Sequence, residues 1–196
     1  MLRGWKVLLP RARPLTPHYV WWENVFDEGQ LDWLQGLAKK AEKPAVVGRG
    51  EGEIEDEIRR TKIRWLHLDP ETQFVFTSVG LSAQEANTIN WNFDLTHTTD
   101  YIQLANYTSE GEGHYGWHQD FGADTIRKLS YVLQLSRPDE YEGGELQLQC
   151  GSTIETIPKE RGRITMFPSW VFHRVTPVTK GARQTLTTWL LGPELR

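Results

Sequence analysis

The sequence predicts an α+β protein, with two helices in its N-terminal half and short β-strands throughout its C-terminal half. Two observations support this prediction. Apolar residues recur at helical spacing in two stretches before residue 88, as on the buried face of an amphipathic helix. After residue 88, short apolar or alternating runs recur with Gly, Pro or Asp between most of them, which is typical of an all-β sandwich or barrel.

The first predicted helix opens at 25–27 and ends before Pro44, which cannot continue a helix. A strand is predicted at 61–68, and the second helix at 71–86. The acidic, glycine-rich segment 48–57 is expected to be a mobile surface loop, with a lid over a site as the alternative. Further strands are predicted at 89–95, 101–107, 115–121, 129–136, 144–149, 153–157, 163–167, 171–178 and 183–191.

Length and composition are those of one globular domain. The chain has 196 residues, of which 38% are hydrophobic and 24% charged, so it can bury a core. We expect a single domain over 1–196, with an extended lead-in at 1–17, a helical support region at 18–87 and a strand-rich core at 88–193.

The overall charge argues against a nucleic-acid binder. The formal net charge is −4 and the pI is about 5.9, without the basic surface that nucleic acid requires. A local exception is the basic group Arg59, Arg60, Lys62 and Arg64. Its spacing predicts the solvated face of a strand, and a ligand-binding role is the alternative.

Several features predict a soluble, cytoplasmic protein without membrane partners. Cys150 is the single cysteine, so no intrachain disulfide can form, which fits a reducing compartment. The first ten residues are too short and too interrupted for a signal peptide. No apolar run reaches the roughly 20 residues of a membrane span.

The segment that ends in His118 and Asp120 carries the clearest chemical signal. On a strand, residues i and i+2 point to the same face, so these two side chains present an imidazole and a carboxylate together. His173 follows 53 residues after Asp120 and can complete the set from a distant strand. Two histidines and one carboxylate form the facial triad of non-haem iron(II) oxygenases, which leaves metal positions open. The alternative for each histidine is a hydrogen-bonded structural residue.

Arg183 strengthens the metal interpretation. It lies ten residues after His173, within a predicted strand. If the two strands are adjacent and antiparallel in a barrel, Arg183 enters the cavity beside His173. A guanidinium binds a carboxylate in bidentate fashion, and here it would take the distal carboxylate of 2-oxoglutarate. The alternative is a surface arginine at a turn.

With these residues, the sequence resembles the prolyl and lysyl hydroxylase-like, or PKHD-type, branch of the 2-oxoglutarate/iron(II) oxygenases. The resemblance covers roughly residues 55–193 and implies a double-stranded β-helix (jelly roll) with the N-terminal helices packed outside it. The matching blocks, in order, are R-R-T-K-I-R-W-L at 59–66, Tyr107, H-Y-G-W-H-Q-D at 114–120, L-S-Y-V-L-Q-L-S at 129–136, Y-E-G-G-E-L at 141–146, F-P-S-W-V-F-H-R-V-T-P-V at 167–178 and G-A-R at 181–183.

The resemblance also implies roles around the metal. Tyr107 matches a tyrosine that hydrogen-bonds 2-oxoglutarate near its iron-chelating end. Gln134 stands where the family often has a tyrosine that reaches the distal carboxylate, so its cofactor-binding role departs from the pattern. Thr187, four residues after the predicted carboxylate-binding arginine, is expected to add a hydroxyl contact. Tyr115 and Trp189 match positions that line the substrate side.

The implied activity is hydroxylation of a C–H bond with iron(II), 2-oxoglutarate and O₂, and release of succinate and CO₂. Ascorbate is left open as an auxiliary reductant. The resemblance favours a prolyl or other amino-acid side chain in a peptide or protein. Two alternatives stay open: a catalytically inactive metal-binding jelly roll, and the same chemistry on a small metabolite or nucleobase. Trp189 stands where the base demethylases carry a second arginine, which disfavours a nucleic-acid substrate, and Asp120 disfavours the halogenating branch.

Overall fold

The computed structural model describes residues 16–45, 57–121 and 126–193. Apart from Thr16, Pro17 and Glu57, the predicted lead-in at 1–17 and the acidic segment at 48–57 lie outside the described residues. The helices are α1 (Glu28–Lys39) and α2 (Gln73–Asn90), with a short 3-10 helix at Pro138–Glu140. The strands are β1 (Val20–Trp22), β2 (Lys43–Pro44), β3 (Arg59–Arg60), β4 (Lys62–His67), β5 (His97–Thr98), β6 (Tyr101–Thr108), β7 (His114–His118), β8 (Arg127–Gln134), β9 (Tyr141–Gly143), β10 (Leu146–Cys150), β11 (Thr153–Thr156), β12 (Ile164–Pro168), β13 (His173–Val175) and β14 (Val178–Leu191).

Helix α1 begins at a capping box. The Asp27 carboxylate accepts from the backbone N–H of Gln30 at 2.8 Å, and the Gln30 side chain accepts from the Asp27 N–H at 3.0 Å, so two otherwise unpaired donors are satisfied. Leu31, Leu34 and Ala38 form its buried face. The predicted first helix is therefore confirmed, with its first residue one position after Asp27.

Helix α2 is also confirmed, but it continues four residues beyond Ala86 to Asn90. The strand predicted at 89–95 is consequently wrong. Asn87 explains the difference, because its side-chain amide donates to the Phe93 carbonyl at 2.8 Å and accepts from the Phe93 N–H at 2.9 Å. These bonds hold 91–95 as a turn that leaves the helix, although the residues are apolar enough for a strand.

The strands form two antiparallel sheets. The nine-stranded sheet has the order β1-β12-β8-β14-β6-β4-β2, and β5 and β9 each pair with β14 off this path. The five-stranded sheet has the order β11-β10-β13-β7-β3. Buried clusters combine side chains of both sheets, such as Tyr107 with Val175 and Val132 with Leu148. The sheets therefore face each other, as expected for a double-stranded β-helix.

Both helices lie on the outer face of the nine-stranded sheet. Leu34 of α1 and Val79 of α2 share one apolar cluster with Leu133 of β8 and Leu186 of β14. Because the helices cover this face, the opposite face is turned toward the five-stranded sheet and encloses the cavity. The predicted jelly roll with helices outside it is confirmed, and neither described helix has the length and apolar run needed to span a membrane.

Most predicted strands after residue 100 are present, with two differences. The run predicted at 171–178 divides into β13 and the start of β14, and β14 begins five residues before the predicted 183. The short strands β1, β2, β5 and β9 were not predicted, and β3 is separate from β4, although one strand face was predicted for the basic residues of both. Each unpredicted strand has only two or three residues, so its strand conformation depends on a partner distant in sequence and not on local periodicity.

Candidate active site

The two predicted histidine ligands lie directly opposite each other on neighbouring strands. His173 of β13 pairs in register with His118 of β7, and Asp120 follows two residues after His118. The Nε2 atoms of His118 and His173 are 3.6 Å and 3.5 Å from the Asp120 carboxylate oxygens. One potential ligand atom from each of the three residues lies within 4.8 Å of the others, which is a spacing that one metal ion can bridge.

Backbone contacts orient both imidazoles. Nδ1 of His118 lies 2.9 Å from the Gly116 carbonyl, and Nδ1 of His173 lies 3.0 Å from the Val171 carbonyl. Because a carbonyl oxygen can only accept, each Nδ1 is the donor, and Nε2 is the ring nitrogen left to bind a metal. Metal-binding histidines commonly donate their other ring N–H to a carbonyl in this way.

Asp120 is held by two serines that the sequence did not single out. The Ser130 hydroxyl of β8 donates to the Asp120 carboxylate at 2.6 Å, and it lies 3.1 Å from the Ser169 hydroxyl. The Asp120 backbone N–H donates to the Ser169 carbonyl at 2.9 Å. Asp120, which follows β7 of the five-stranded sheet, is therefore tied to the nine-stranded sheet through Ser130. The strand periodicity of 128–134 could have indicated that Ser130 faces inward, but only tertiary pairing identifies its partner.

Electrostatics keep Asp120 and His173 in the states that bind a metal. Burial alone would raise the pKa of the Asp120 carboxyl, but the His173 and His118 imidazoles and the Ser130 hydroxyl together hold that pKa well below its usual value. Burial lowers the pKa of His173 to about 4, although Asp120 acts in the opposite direction. At neutral pH the site thus presents a carboxylate and, at His173, a neutral imidazole.

Arg183 enters the same interior, but from the other sheet. The prediction that its strand is adjacent to that of His173 is wrong, because β13 belongs to the five-stranded sheet and β14 to the nine-stranded sheet. The chain crosses between the sheets at 176–177. Arg183 therefore lies on a different sheet from His173, and its side chain lines a small cavity with Val132 and Gln134 of β8. The guanidinium is buried, and its Nε donates to the Gln134 side-chain oxygen at 3.1 Å.

The remaining cofactor candidates lie along the inner face of the nine-stranded sheet. Tyr107 of β6 is directly opposite Arg183, and the guanidinium lies 5.7 Å from its ring centre. Thr187 lies on the same face as Arg183, four residues further along β14. Gln134 pairs with Thr185, between those two positions. The structure thus brings Tyr107, Gln134, Thr187 and Arg183 to one wall.

The two predicted substrate-lining aromatics flank the histidine–aspartate cluster. The Tyr115 ring stacks on the His118 imidazole, with centroids 3.5 Å apart. Trp189 pairs with Ser130, the residue that contacts Asp120. The Arg127 guanidinium covers the Trp189 ring at 3.7 Å. Among the described residues, no hydrogen-bond partner is found for the buried Trp189 indole N–H.

Arg59 differs from its prediction as part of a solvated strand face. Lys62 and Arg64 are exposed as expected, whereas Arg59 is buried. Its guanidinium donates to the Gln103 side chain at 2.7 Å and lies 4.6 Å from the centre of the Tyr115 ring. The reason is that β3 pairs with β7 at the edge of the five-stranded sheet, which turns Arg59 inward toward the facing sheet.

Sequence comparisons give the same family that the geometry suggests. The 2OG-Fe(II) oxygenase superfamily model matches residues 102–191. A PKHD-type hydroxylase of Synechococcus sp. (strain CC9605) is 38% identical over 165 residues, covering 82% of this chain and 67% of that relative. The chain therefore belongs to the 2OG-Fe(II) oxygenase superfamily and, within it, to the PKHD-type hydroxylases. The expected 2-oxoglutarate-dependent dioxygenase is thereby confirmed at the level of the family.

Other relatives match over shorter segments. A PKHD-type hydroxylase of Hyphomonas neptunium (strain ATCC 15444) is 37% identical over 93 residues, which are 44% of this chain and 41% of that protein. One of Acidovorax ebreus (strain TPSY) is 39% identical over 75 residues, 38% of this chain and 31% of that protein. The matches thus span less than half the length of these two relatives.

Solved structures support the fold. A Pseudomonas putida prolyl-4-hydroxylase superposes with a TM-score of 0.73 at 20% identity, over 89% of this chain and 92% of that one. A second similar structure is a Trichoplax adhaerens prolyl hydroxylase in complex with a hypoxia inducible factor oxygen degradation domain peptide fragment. It superposes with a TM-score of 0.75 at 19% identity, over 89% of this chain and 83% of that chain. At these identities the similarity establishes a shared architecture.

Proposed function

We propose that this chain is an iron(II)- and 2-oxoglutarate-dependent dioxygenase that hydroxylates a substrate C–H bond and releases succinate and CO₂. The observation that carries the proposal is the cluster of His118, Asp120 and His173 inside a jelly roll whose facing wall presents Arg183. Two imidazole nitrogens and one carboxylate oxygen form the donor set that non-haem iron(II) oxygenases use. Such a set leaves coordination positions open for a chelating 2-oxo acid and O₂.

The chain's residues have separate tasks in this proposal. When bound, iron(II) with 2-oxoglutarate and O₂ supplies the oxidising power for C–H hydroxylation. His118, Asp120 and His173 hold the metal, and Ser130 fixes the carboxylate. Arg183 neutralises the distal carboxylate of 2-oxoglutarate. The enclosing sheets exclude bulk water from the reacting groups.

Two side chains on the same wall extend the cofactor site. Thr187 is partly exposed on the face that carries Arg183, which suits a hydroxyl contact along 2-oxoglutarate. The buried Tyr107 lies opposite Arg183 on the neighbouring strand, and we assign its phenol to the chelating part of the cofactor because the matching tyrosine of the family has that role. We assign both residues to 2-oxoglutarate binding, and we retain ascorbate as an auxiliary reductant to be tested.

For the substrate, we propose a prolyl or other amino-acid side chain within a peptide or protein. Support comes from the relatives, which are named PKHD-type hydroxylases, and from the neighbour solved with a peptide fragment. Tyr115 and Trp189 are the side chains that we assign to the substrate side. The buried Trp189 indole offers a hydrogen-bond donor for which the described residues supply no acceptor.

Anaerobic titration with iron(II) and 2-oxoglutarate tests the cofactor proposal. The wild-type protein should develop the weak visible charge-transfer band of the iron chelate, and Asp120→Ala should not. Asp100→Ala removes an exposed carboxylate and is the matched control that should keep the band. The proposed function is wrong if the wild-type protein gives no band in the anaerobic titration and forms no succinate when O₂ is admitted.

Mass spectrometry of candidate peptides tests the substrate proposal. Aerobic incubation with iron(II) and 2-oxoglutarate should add one oxygen atom to a proline-containing peptide, together with an equal amount of succinate. With heavy-isotope O₂ the added atom should carry the label, because the oxygen comes from O₂. Turnover restricted to small metabolites or nucleobases would contradict a peptide substrate but not the dioxygenase activity.

A further inference from the structure

A phenol to which the resemblance assigns no role lies beside Arg183. Tyr141 begins β9 and pairs in register with Gly181 of β14, two residues before Arg183. Its side chain is buried, and it lines a small cavity together with Gln134, Lys159 and Arg183. The family often has a tyrosine at position 134, where this chain has Gln134. Here a tyrosine of another strand, Tyr141, lies next to that position.

Gln134 connects this phenol to the arginine. Its side-chain oxygen accepts from Arg183 Nε at 3.1 Å. Its amide nitrogen donates to the Tyr141 hydroxyl and to the Ser136 carbonyl, each at 3.1 Å. Both ends of the amide are therefore engaged within the protein. This side chain is placed to orient Arg183 and Tyr141 relative to each other, and a ligand contact of its own is not needed.

The Tyr141 hydroxyl has a donor for which the described residues provide no acceptor. The Tyr141 oxygen accepts from Gln134, and the neighbouring Arg183 has only donors. The Glu145 carboxylate also acts on Tyr141 electrostatically, but its described hydrogen bond is with Gln147. Within the described part of the chain, this hydroxyl accepts a hydrogen bond and donates none. The phenol proton is consequently free to donate. A buried hydroxyl usually satisfies its donor, so a ligand acceptor is expected in the cavity.

The charges around Tyr141 define what that acceptor is. Arg183 is buried, and the Lys159 ammonium lies 4.6 Å from the centre of the Tyr141 ring, where it donates to the Gly143 carbonyl at 2.8 Å. Burial raises the pKa of Tyr141, against the opposing effect of Arg183, so the phenol keeps its proton at neutral pH. Two cations and a phenol donor lining one cavity suit a carboxylate.

Gly144 explains how the phenol and the arginine approach so closely. Its φ is +59°, and an added Cβ would lie 2.8 Å from Val178 Cγ2, 3.2 Å from Tyr141 Cε2 and 3.3 Å from Arg183 Cδ. A side chain at this position would therefore push apart the residues that form the pocket.

We propose that Tyr141 is a second anchor for the distal carboxylate of 2-oxoglutarate, which it binds through its phenol proton, and that Gln134 is the positioning residue that aligns Tyr141 with Arg183. The proposal rests on the proposed function, since it assigns a new residue to the same cofactor site. The contact with the distal carboxylate that was expected from Gln134 of β8 is thereby assigned to Tyr141 of β9.

Two ligands and two tyrosine variants test the proposal on the iron(II)-loaded protein under anaerobic conditions. The ligands are 2-oxoglutarate and 2-oxovalerate, which has the same chelating end but lacks the distal carboxylate. Their dissociation constants are read from the charge-transfer band. Tyr141→Phe should bind 2-oxoglutarate about ten- to a hundred-fold more weakly, the loss expected for a hydrogen bond to a charged group, with 2-oxovalerate binding unchanged.

Tyr131→Phe is the matched control, because it also removes a buried phenol that has a hydrogen-bond partner. Its hydroxyl lies 3.2 Å from the Ser82 hydroxyl of α2, on the helix side of the sheet and away from the cavity. This variant should leave both dissociation constants unchanged.

Gln134→Leu tests the positioning role. It removes the hydrogen bonds that connect Gln134 to Arg183 and to Tyr141, so it should lower the preference for 2-oxoglutarate over 2-oxovalerate, as Tyr141→Phe does.

The outcomes separate this proposal from the proposed function. If wild-type protein forms no chelate with either ligand, the proposed function fails. If wild-type protein prefers 2-oxoglutarate and Tyr141→Phe keeps that preference, only the role of Tyr141 is wrong. An equal loss for both ligands in Tyr141→Phe would mean a structural role and would likewise overturn the proposal.

Discussion

At the residue scale, each predicted metal ligand depends on contacts outside its motif. Carbonyl groups two residues before His118 and His173 fix both imidazoles, and Ser130 fixes Asp120. Such contacts set ligand orientation and basicity, so their loss weakens a metal site without removing a ligand. The motif spacing identifies the three ligands, while the neighbouring groups determine how well they are oriented.

Ser130→Ala tests this dependence. The variant removes the 2.6 Å hydrogen bond to Asp120, and we expect iron(II) affinity to fall by about ten- to a hundred-fold. Anaerobic metal titration followed by calorimetry measures the change. Ser152→Ala removes an exposed serine at the turn between β10 and β11 and should bind iron as the wild type does. Equal affinities in the two variants would contradict the role of Ser130.

Arg183→Ala tests the carboxylate assignment. Hydrogen bonds to charged groups contribute about 1.5–3 kcal/mol each, so we expect the 2-oxoglutarate concentration needed for half-saturation to rise by about a hundred-fold or more. Iron(II) binding should persist, since the metal ligands are intact. Arg64→Ala, at an exposed position of β4, is the control. Unchanged 2-oxoglutarate affinity in Arg183→Ala would refute the assignment.

At the element scale, strand register brings the site together. His118 and His173 are opposite each other in β7 and β13, and a slip of one residue would turn one imidazole to the outer face. Side chains of β14 alternate between the two faces of its sheet. Arg183, Thr187 and Trp189 face the cavity, while Leu186 packs against the helices. One strand thus carries both cofactor residues and core residues.

The two faces of β14 should respond differently to substitution. Leu186→Ala removes a fully buried side chain from the helix-facing core, and we expect it to lower the free energy of unfolding by about 2–5 kcal/mol. The 2-oxoglutarate affinity of the folded variant should be unchanged. Urea denaturation and ligand titration measure the two effects. Ile154→Ala, on the exposed β11, should change stability by less than about 0.5 kcal/mol.

At the scale of the whole molecule, the metal site links the two sheets. His118 and His173 come from the five-stranded sheet, and Asp120 is hydrogen-bonded to Ser130 of the nine-stranded sheet. A metal bound to all three residues therefore favours the folded arrangement of both sheets. Binding to the folded state alone stabilises it through mass action.

Metal loading should therefore raise thermal stability. A hundred-fold excess of free iron(II) over its dissociation constant contributes about 2.7 kcal/mol, which corresponds to an increase of roughly 5–10 °C in Tm for a chain of this size. Anaerobic differential scanning fluorimetry measures the increase, and a chelator should reverse it. Asp120→Ala should show no increase. A similar increase in that variant would mean that the metal binds elsewhere.

The sequence by itself determined the two helices, the strand-rich half and the pairing of His118 with Asp120, because local periodicity and i, i+2 spacing are properties of neighbouring residues. His173 was added because the donor set of an iron(II) oxygenase needs a second histidine, and the register of β7 and β13 brings it opposite His118. Only the tertiary structure decided that Arg183 and His173 lie on different sheets, that Arg59 is buried, and that the phenol beside Arg183 comes from Tyr141. These features depend on which strands pair and which faces are covered. Pairing and burial arise between residues far apart in the chain, and no local pattern encodes them.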